Sequence, residues 1–515
     1  MDTEIELKYL VLGDNISAVI SKLLNLRQFS FSKKIKHLSN CYFDTPDLQL
    51  RKADIGLRVR KNADGDIEQT IKTSGTTIGG LHQRPEYNIA LQDEMPDLSL
   101  FDSSIWPAHV NLVSLQQQLT PLFNTDFTRT AWLITGADNS QIELAFDQGK
   151  ICSSQKTDTI CEIELELVSG NTAALFSLAQ TLMTELALRP GTQSKAARGY
   201  GLVFGYTQPH ISSANSVLPL HSSMSVQQSF NKGFAECLAQ LQQLVSQFVE
   251  HQTLSLLKEI SDSLAMARHG LWLYKDYLTS PKAESIRLKI KAILTELAWV
   301  ETAKQIKQLT TQKGNYRKKI EYSESLLATL KDEKLQPQDF DQVLVLLHGE
   351  QFNLLQLEML ELVYSGDSCV NAPCAKAPCS NDSVDRQTSL MDLAPSWLAI
   401  NLDNIKKSMP ANNPLTAKDY IDNHYLIIHS LLTGNWFGDL YDVDERMDYR
   451  GPWLDIHFGI DELETLFLLK EHLHGSSEEM PQKLILWLDD KMENLLCAVE
   501  HCRKAALNLS PYWLR

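Results

Sequence analysis

Hydrophobic and polar residues alternate with a period of two along much of the first 205 residues, whereas from about residue 225 apolar positions recur with helical spacing. Glu4, Glu6 and Lys8 share one face of a predicted strand; Ile5, Leu7 and Tyr9 share the other. Ile16, Val19, Ile20, Leu23 and Leu24 predict an amphipathic helix over 14–26. Further strands are predicted at 38–43, 55–61, 68–72 after an Asp64-Gly65 turn, through Leu91, and at 127–134, 141–146 and 161–167. Residues 172–187 read as a helix. Residues 96–122, with Pro96, Pro107 and Pro121, read as irregular chain with one short helix.

Gln208 to Met224, rich in Ser with Pro209 and Pro219, reads as a linker. Helical spacing then covers 225–279, 282–313, 316–333, 338–365, 395–409, 415–433, 454–474 and 481–508, around a Ser-, Asp-, Pro- and Cys-rich insertion near 366–394. The expected architecture is α+β: a strand-rich domain over 1–205, a linker over 206–224, and an all-α bundle over 225–515.

Charge changes the picture of the strand-rich part. Acids occupy one face of the first and last strands (Glu4 and Glu6; Glu162, Glu164 and Glu166), and bases one face of the strands between (Arg58 and Arg60; Lys72; Arg84; Arg129). If these faces line a closed sheet, the interior is a polar tunnel with acidic and basic walls. Three like charges in a row repel unless a cation sits among them. A highly anionic, metal-bound ligand fits such a tunnel, because hard dications take oxygen ligands and Arg and Lys bind phosphate oxygens. Glu86 and Glu143 share strands with the bases and are expected to pair with them.

Composition narrows the class. The 515 residues are 43% hydrophobic and 22% charged, which fits a soluble globular protein of two to four domains. No signal-peptide pattern and no run of about 18 apolar residues is present, so a cytoplasmic protein without membrane contact is expected. Nine cysteines without C-x-x-C pairs predict free thiols; Cys369, Cys374 and Cys379 are a weak metal or thiol hint. A net charge of −16 speaks against nucleic acid as the main partner.

Glu4-Ile5-Glu6-Leu7-Lys8, Leu57-Arg58-Val59-Arg60, Gln69-Thr70-Ile71-Lys72, Gln83-Arg84-Pro85-Glu86-Tyr87, Glu162-Ile163-Glu164-Leu165-Glu166 and Ser194-Lys195-Ala196-Ala197-Arg198-Gly199-Tyr200 resemble, in order, the motifs of the CYTH or triphosphate tunnel metalloenzyme family. The resemblance covers about residues 1–205 and is closest to bacterial inorganic triphosphatases. It implies an antiparallel barrel of about eight strands and hydrolysis of a terminal phosphoanhydride with Mg²⁺ or Mn²⁺. By position it implies metal ligation by Glu4, Glu6, Glu164 and Glu166, with Asp147 and Glu162 as further acids. It assigns substrate binding to Lys8, Arg58, Arg60, Lys72, Arg84, Arg129, Lys195 and Arg198. Glu164, Glu166, Lys8, Arg58 and Lys195 are the expected catalytic set. Inorganic triphosphate is the expected substrate. The alternatives are thiamine triphosphate, a nucleoside triphosphate that is hydrolysed or cyclised, and a barrel that only binds or scaffolds polyphosphate. Residues 70–90 show no aromatic shelf for a base.

The helical region resembles the CHAD domain around Arg268-His269 and His424-Tyr425-Leu426. The basic runs of that domain are missing after both histidines. Residues 1–205 carry 19 Lys and Arg against 24 Asp and Glu, which leaves 29 against 40 for the remainder. An acidic bundle repels polyphosphate, and Lys313 to Lys319 is the one concentrated basic run. The expectation is a CHAD-like domain with weakened or lost polyphosphate binding, kept for packing or contact with a protein partner.

Overall fold

The structure is a computed structural model and describes residues 2–62, 65–107, 110–205, 216–278, 280–311, 316, 320, 326–330, 340–371, 388–475 and 482–514. The chain forms two compact units, Met1–Ile211 with Val345–Glu361, and Ser212–Leu344 with Leu362–Arg515. Among the described residues no helix is long and apolar enough to cross a membrane.

The first unit is built on ten strands: β1 (Asp2–Leu12), β2 (Ser30–Asp44), β3 (Gly56–Asn62), β4 (Ile67–Lys72), β5 (Thr76–Ile78), β6 (Leu81–Leu91), β7 (Thr120–Thr135), β8 (Gln141–Cys152), β9 (Thr157–Ser169) and β10 (Ala187–Pro190). Eight of them close a ring in the order β1-β9-β8-β7-β2-β3-β4-β6, with β6 returning to β1. Every pairing around the ring is antiparallel. Closure removes the sheet edges, and β5 and β10 add short pairings to β6 and β1.

The alternation seen in the sequence maps onto this ring with the polar face inward. Leu7, Ile163, Leu165 and Leu144 are buried on the outward face. On another part of the wall, Leu57, Val59 and Ile71 pack with Leu98, Phe101, Leu115 and Leu119 from the segment between β6 and β7. That segment contains the short helix α3 (Leu112–Gln118), capped by Asn111, in agreement with the irregular-chain reading. The helix α1 (Ile16–Leu26) buries Ile16, Ile20, Leu23 and Leu24, the predicted stripe. α2 (Gln49–Lys52) follows β2, and α4 (Ala173–Met183) follows β9.

One stretch of the barrel interior is apolar. Leu38, Tyr42, Phe123, Phe127, Ile151 and Ile160 join Tyr200 and Leu202 of α5 (Lys195–Phe204) in a single cluster that fills the barrel there. A Cβ on Gly199 would stand 2.0 Å from the Phe123 ring, so only glycine lets α5 seat this deeply. The Tyr200 hydroxyl donates to Asp44 at 2.8 Å, and the same carboxylate accepts from the Leu50 and Arg51 amides of α2.

The second unit is helical in all its long elements. The run predicted at 225–279 is two helices, α6 (Val226–Glu250) and α7 (Leu254–Leu273), because Thr253 leaves the helical conformation and caps α7. The next predicted run also divides, into α8 (Pro281–Glu296) and α9 (Trp299–Thr310). Pro281 opens α8 at its first turn, where no amide is needed. The 338–365 run is α10 (Phe340–His348) and α11 (Glu350–Asn371), separated at Gly349, of which Val345–Glu361 belongs to the first unit; it extends into the stretch read as an insertion.

Two later helices start earlier than the spacing predicts, with a proline inside each: α12 (Leu390–Ser408) contains Pro395 and α15 (Val443–Gly475) contains Pro452. Between them lie α13 (Ala417–Asp422) and α14 (His424–Phe437), and α16 (Gln482–Asn508) follows. Trp436 is fully buried against Gly233 and Gly270, whose Cβ atoms would come within 2.3 and 2.0 Å of its ring. The basic run from Lys313 to Lys319 apart from Tyr316, the Cys369 side chain, Cys374 and Cys379 lie outside the described residues.

Candidate active site

The strand register places the inward side chains in layers. Glu6 lies opposite Glu166, and Lys8 opposite Glu164. On the other side of β1, Glu4 lies opposite Arg84 and Glu6 opposite His82. Lys72 faces Glu86, Arg58 faces Thr70, and Arg129 faces Asp147. The cavity measures about 800 Å³ and is open to solvent; its lining includes Glu4, Glu6, Lys8, Arg58, Arg60, Lys72, Arg84, Glu86, Arg129, Glu164, Glu166 and Lys195. Asp147, Glu162 and Arg198, also predicted from the sequence, do not line it; they stand behind the lining residues.

The six predicted acids fall into two groups with opposite electrostatics. Asp147, Glu162 and Glu164 have carboxylate oxygens within 4.8 Å of one another. Lys195 Nζ sits among them at 2.6, 2.5 and 2.9 Å. Lys8 Nζ adds contacts of 3.2 Å to Glu162 and 2.5 Å to Glu164. Arg129 takes Asp147 with two parallel bonds of 2.8 Å and reaches Glu164 at 2.5 Å. Arg198 joins Glu162 at 3.3 Å and Asp158 at 2.6 Å. Burial opposes ionisation of Glu164, but Lys195, Lys8 and Arg129 outweigh it and hold the carboxyl well below its usual range. The same acids drive Lys8 well above the usual ammonium range despite its burial.

Glu4, Glu6 and Glu166 form the other group. Among the described residues neither Glu6 nor Glu166 has an ion-pair partner, while Glu4 is bound to Lys72. Burial, then Glu143 and Glu6, push Glu166 up to about 7. Burial and Glu6 push Glu4 up to about 7 against the pull of Lys72. These carboxylates face the cavity, Glu6 buried and Glu4 and Glu166 half-buried, but among the described residues their oxygens do not converge within 4.8 Å as those of Asp147, Glu162 and Glu164 do, so a hard dication would have to draw them together. The Asp147, Glu162 and Glu164 group fits one only if Lys8 or Lys195 gives way.

Positive charge is in excess elsewhere in the cavity. Burial, then Arg58 and Arg129, pull Arg60 down to about 10. Its Nε is held by Asn40 Oδ1 at 2.8 Å. The Nε atoms of Arg58 and Arg84 are buried without a partner. Glu86 accepts from Lys72 at 3.0 Å and Arg58 at 3.4 Å, and Glu143 lies 3.7 Å from Arg129, so both acids pair with bases as the sequence suggested. Tyr87, opposite Ile71, packs against the cluster of Leu57, Ile71 and Phe101, yet it lines the cavity together with Tyr42, Phe101 and Phe127, so aromatic rings stand along it.

His82, Asn40 and Asp158 escaped the sequence reading. His82 lines the cavity opposite Glu6, with Nε2 3.2 Å from the Gly191 carbonyl and Nδ1 3.2 Å from the Thr77 hydroxyl. Its parity with Arg84 and Glu86 on one strand was the available signal. Lys195 reaches the acids because Ser194 caps α5 and starts the helix at the cavity wall.

Residues 2–200 match the family model of the CYTH domain. The inorganic triphosphatase of Haemophilus influenzae is 42% identical over 163 residues, which are 32% of this chain and 45% of that protein. The chain thus aligns with less than half the length of this curated relative. Among solved structures, a Hippeastrum protein described as having a dominant triphosphatase activity is 19% identical, with 38% of this chain and 95% of that one covered and a TM-score of 0.30. The CHAD domain from Ricinus communis is 14% identical, with 58% and 96% covered and a TM-score of 0.38. Likenesses at these scores carry no argument about activity. The barrel's motifs, its closed eight-strand ring and the family match agree: the chain carries a CYTH domain over residues 2–200.

Proposed function

We propose that the barrel hydrolyses inorganic triphosphate to pyrophosphate and phosphate with the help of a divalent cation, Mg²⁺ or Mn²⁺. One observation carries the proposal: a single cavity holds Arg58 and Arg84 with unpartnered Nε atoms and, among the described residues, Glu6 and Glu166 without an ion-pair partner. A metal-bound triphosphate supplies partners for both. Arg58, Arg60 and Arg84 offer guanidinium groups to phosphate oxygens, including the two unpartnered Nε atoms. Glu4, Glu6 and Glu166 would hold the cation, which supplies neutralisation of phosphate charge and polarisation of the scissile phosphoanhydride. Lys8, Lys195 and Arg129, fixed by Asp147, Glu162 and Glu164, offset charge that builds up on the transferred group and the leaving pyrophosphate. The relative named inorganic triphosphatase supports the same substrate.

The test is phosphate release from inorganic triphosphate, ATP, thiamine triphosphate and long-chain polyphosphate, each with Mg²⁺, Mn²⁺ or chelator. Rapid metal-dependent release from triphosphate, well above the organic substrates, is the expected result. Tight binding without release from any substrate refutes hydrolysis and makes the barrel a polyanion binder.

A further inference from the structure

A second cluster of ligating side chains lies in the helical unit. His424 is the first residue of α14, and His457 and Asp461 stand one turn apart on α15. Ligand atoms of the three lie within 4.8 Å of one another. His424 Nε2 is 2.8 Å from His457 Nδ1 and 3.7 Å from Asp461 Oδ1. Adjacent ligands of a tetrahedral zinc ion, with bonds of 2.0–2.1 Å, are separated by about 3.3 Å. These two spacings bracket that value, and His457 Nε2 lies 3.9 Å from Asp461 Oδ2, so side-chain rotations would complete the geometry.

The surroundings prepare the cluster for a cation. Glu464, one further turn along α15, is 3.0 Å from His424 Nδ1. That carboxylate accepts a hydrogen bond from the Nδ1–H and leaves the Nε2 lone pair facing His457 and Asp461, the arrangement in which a second carboxylate orients a metal-binding imidazole. Two lysines from α7 and α9 approach the cluster but have partners of their own. Lys258 is bound to Asp262 at 2.5 Å and lies 3.5 Å from Glu301. Lys304 is 3.2 Å from Glu301 and 3.8 Å from Asp461 Oδ2. The Oδ1 atom is the one turned to His424.

We propose that His424, His457 and Asp461 form a binding site for a transition-metal dication of the zinc class, oriented by Glu464 and independent of the carboxylates in the barrel. Two imidazoles and one carboxylate favour zinc or cobalt over Mg²⁺, and three protein ligands leave a position for water or another ligand. Bound there, the ion ties the start of α14 to α15.

The experiment uses the full chain, stripped with chelator and supplied with excess Mg²⁺ to occupy all-oxygen sites, then titrated with Co²⁺ and followed by visible absorption. One equivalent per chain should bind with the intense d–d bands of a low-symmetry nitrogen-containing site, and Zn²⁺ should displace it. His457→Ala should abolish the bands, and Glu464→Gln should weaken binding roughly 10–100-fold. Asp461→Asn is the second variant should His457→Ala unfold, and Glu6→Gln in the barrel should leave the bands unchanged. Absence of the bands from the wild-type protein, or an unchanged titration in folded His457→Ala or Asp461→Asn, overturns the proposal.

Discussion

Replacing Glu166 by Gln should stabilise the metal-free protein at pH 8 and do so far less at pH 5. Glu166 rises from its ordinary 4.5 to about 7 in the fold because of burial and the neighbouring Glu143 and Glu6. The folded state therefore holds a proton that the unfolded chain has released between these values. Stability falls as pH rises across that window, and the penalty is complete above about pH 8. At 1.36 kcal/mol per unit the shift corresponds to roughly 3 kcal/mol, reduced to about 2 kcal/mol by partial solvent access. For a domain of this size that is a rise in Tm of roughly 4–8 °C for Glu166→Gln at pH 8 in chelator. At pH 5 the carboxyl is protonated and nearly isosteric with the amide, so the difference should shrink to less than a third. Excess Mn²⁺ should reverse the order, since only the wild-type protein keeps the full ligand set. Thermal unfolding of both proteins at the two pH values, with and without metal, decides it. A variant no more stable than wild type at pH 8 in chelator refutes the reading of Glu166 as an uncompensated, half-buried acid.

Arg84→Ala removes a guanidinium whose Nε has no partner in the fold, so KM for triphosphate should rise about 10–100-fold with little change in Tm; a large fall in Tm at unchanged KM refutes the role. Glu164→Gln leaves Lys8, Lys195 and Arg129 short of countercharge, which should cost about 3 kcal/mol in thermal or urea unfolding. The same variant should keep triphosphate binding in a titration and lose most turnover, and full turnover would sink the assignment. Gly199→Ala forces a Cβ into the Phe123 ring and displaces α5, costing about 1–3 kcal/mol; kcat should drop with it because Lys195 starts that helix, and unchanged kcat would separate the helix from the chemistry.

The ring was legible because period-two patterning states which residues share a face, and like charges on one face state that the face is enclosed or metal-bound. Strand lengths were less legible. β2 runs from Ser30 where the sequence showed only 38–43, because Ser30 to His37 are mostly exposed and carry no burial signal. Helix breaks at His251 and at Leu297–Ala298 were hidden for a related reason: a cap or a short turn interrupts the backbone without interrupting the apolar spacing. Pro395 and Pro452 misled in the other direction: each lies inside its helix beyond the first turn and removes one helical amide bond, a loss that the packing of the rest of the helix outweighs.

The sequence by itself determined the fold class, the order of the motifs and the identity of nearly every charged side chain lining the cavity, because these follow from local alternation and residue chemistry. Tertiary structure alone decided how six similar acids divide. Glu162 and Glu166 stand four residues apart on one strand and one face, yet Glu162 is sealed among Lys8, Lys195 and Arg198 while Glu166 faces other carboxylates. Their difference comes from neighbours more than 20 residues distant in the chain. The charge state of a buried group is set by the summed field of those neighbours, and no local pattern encodes that sum.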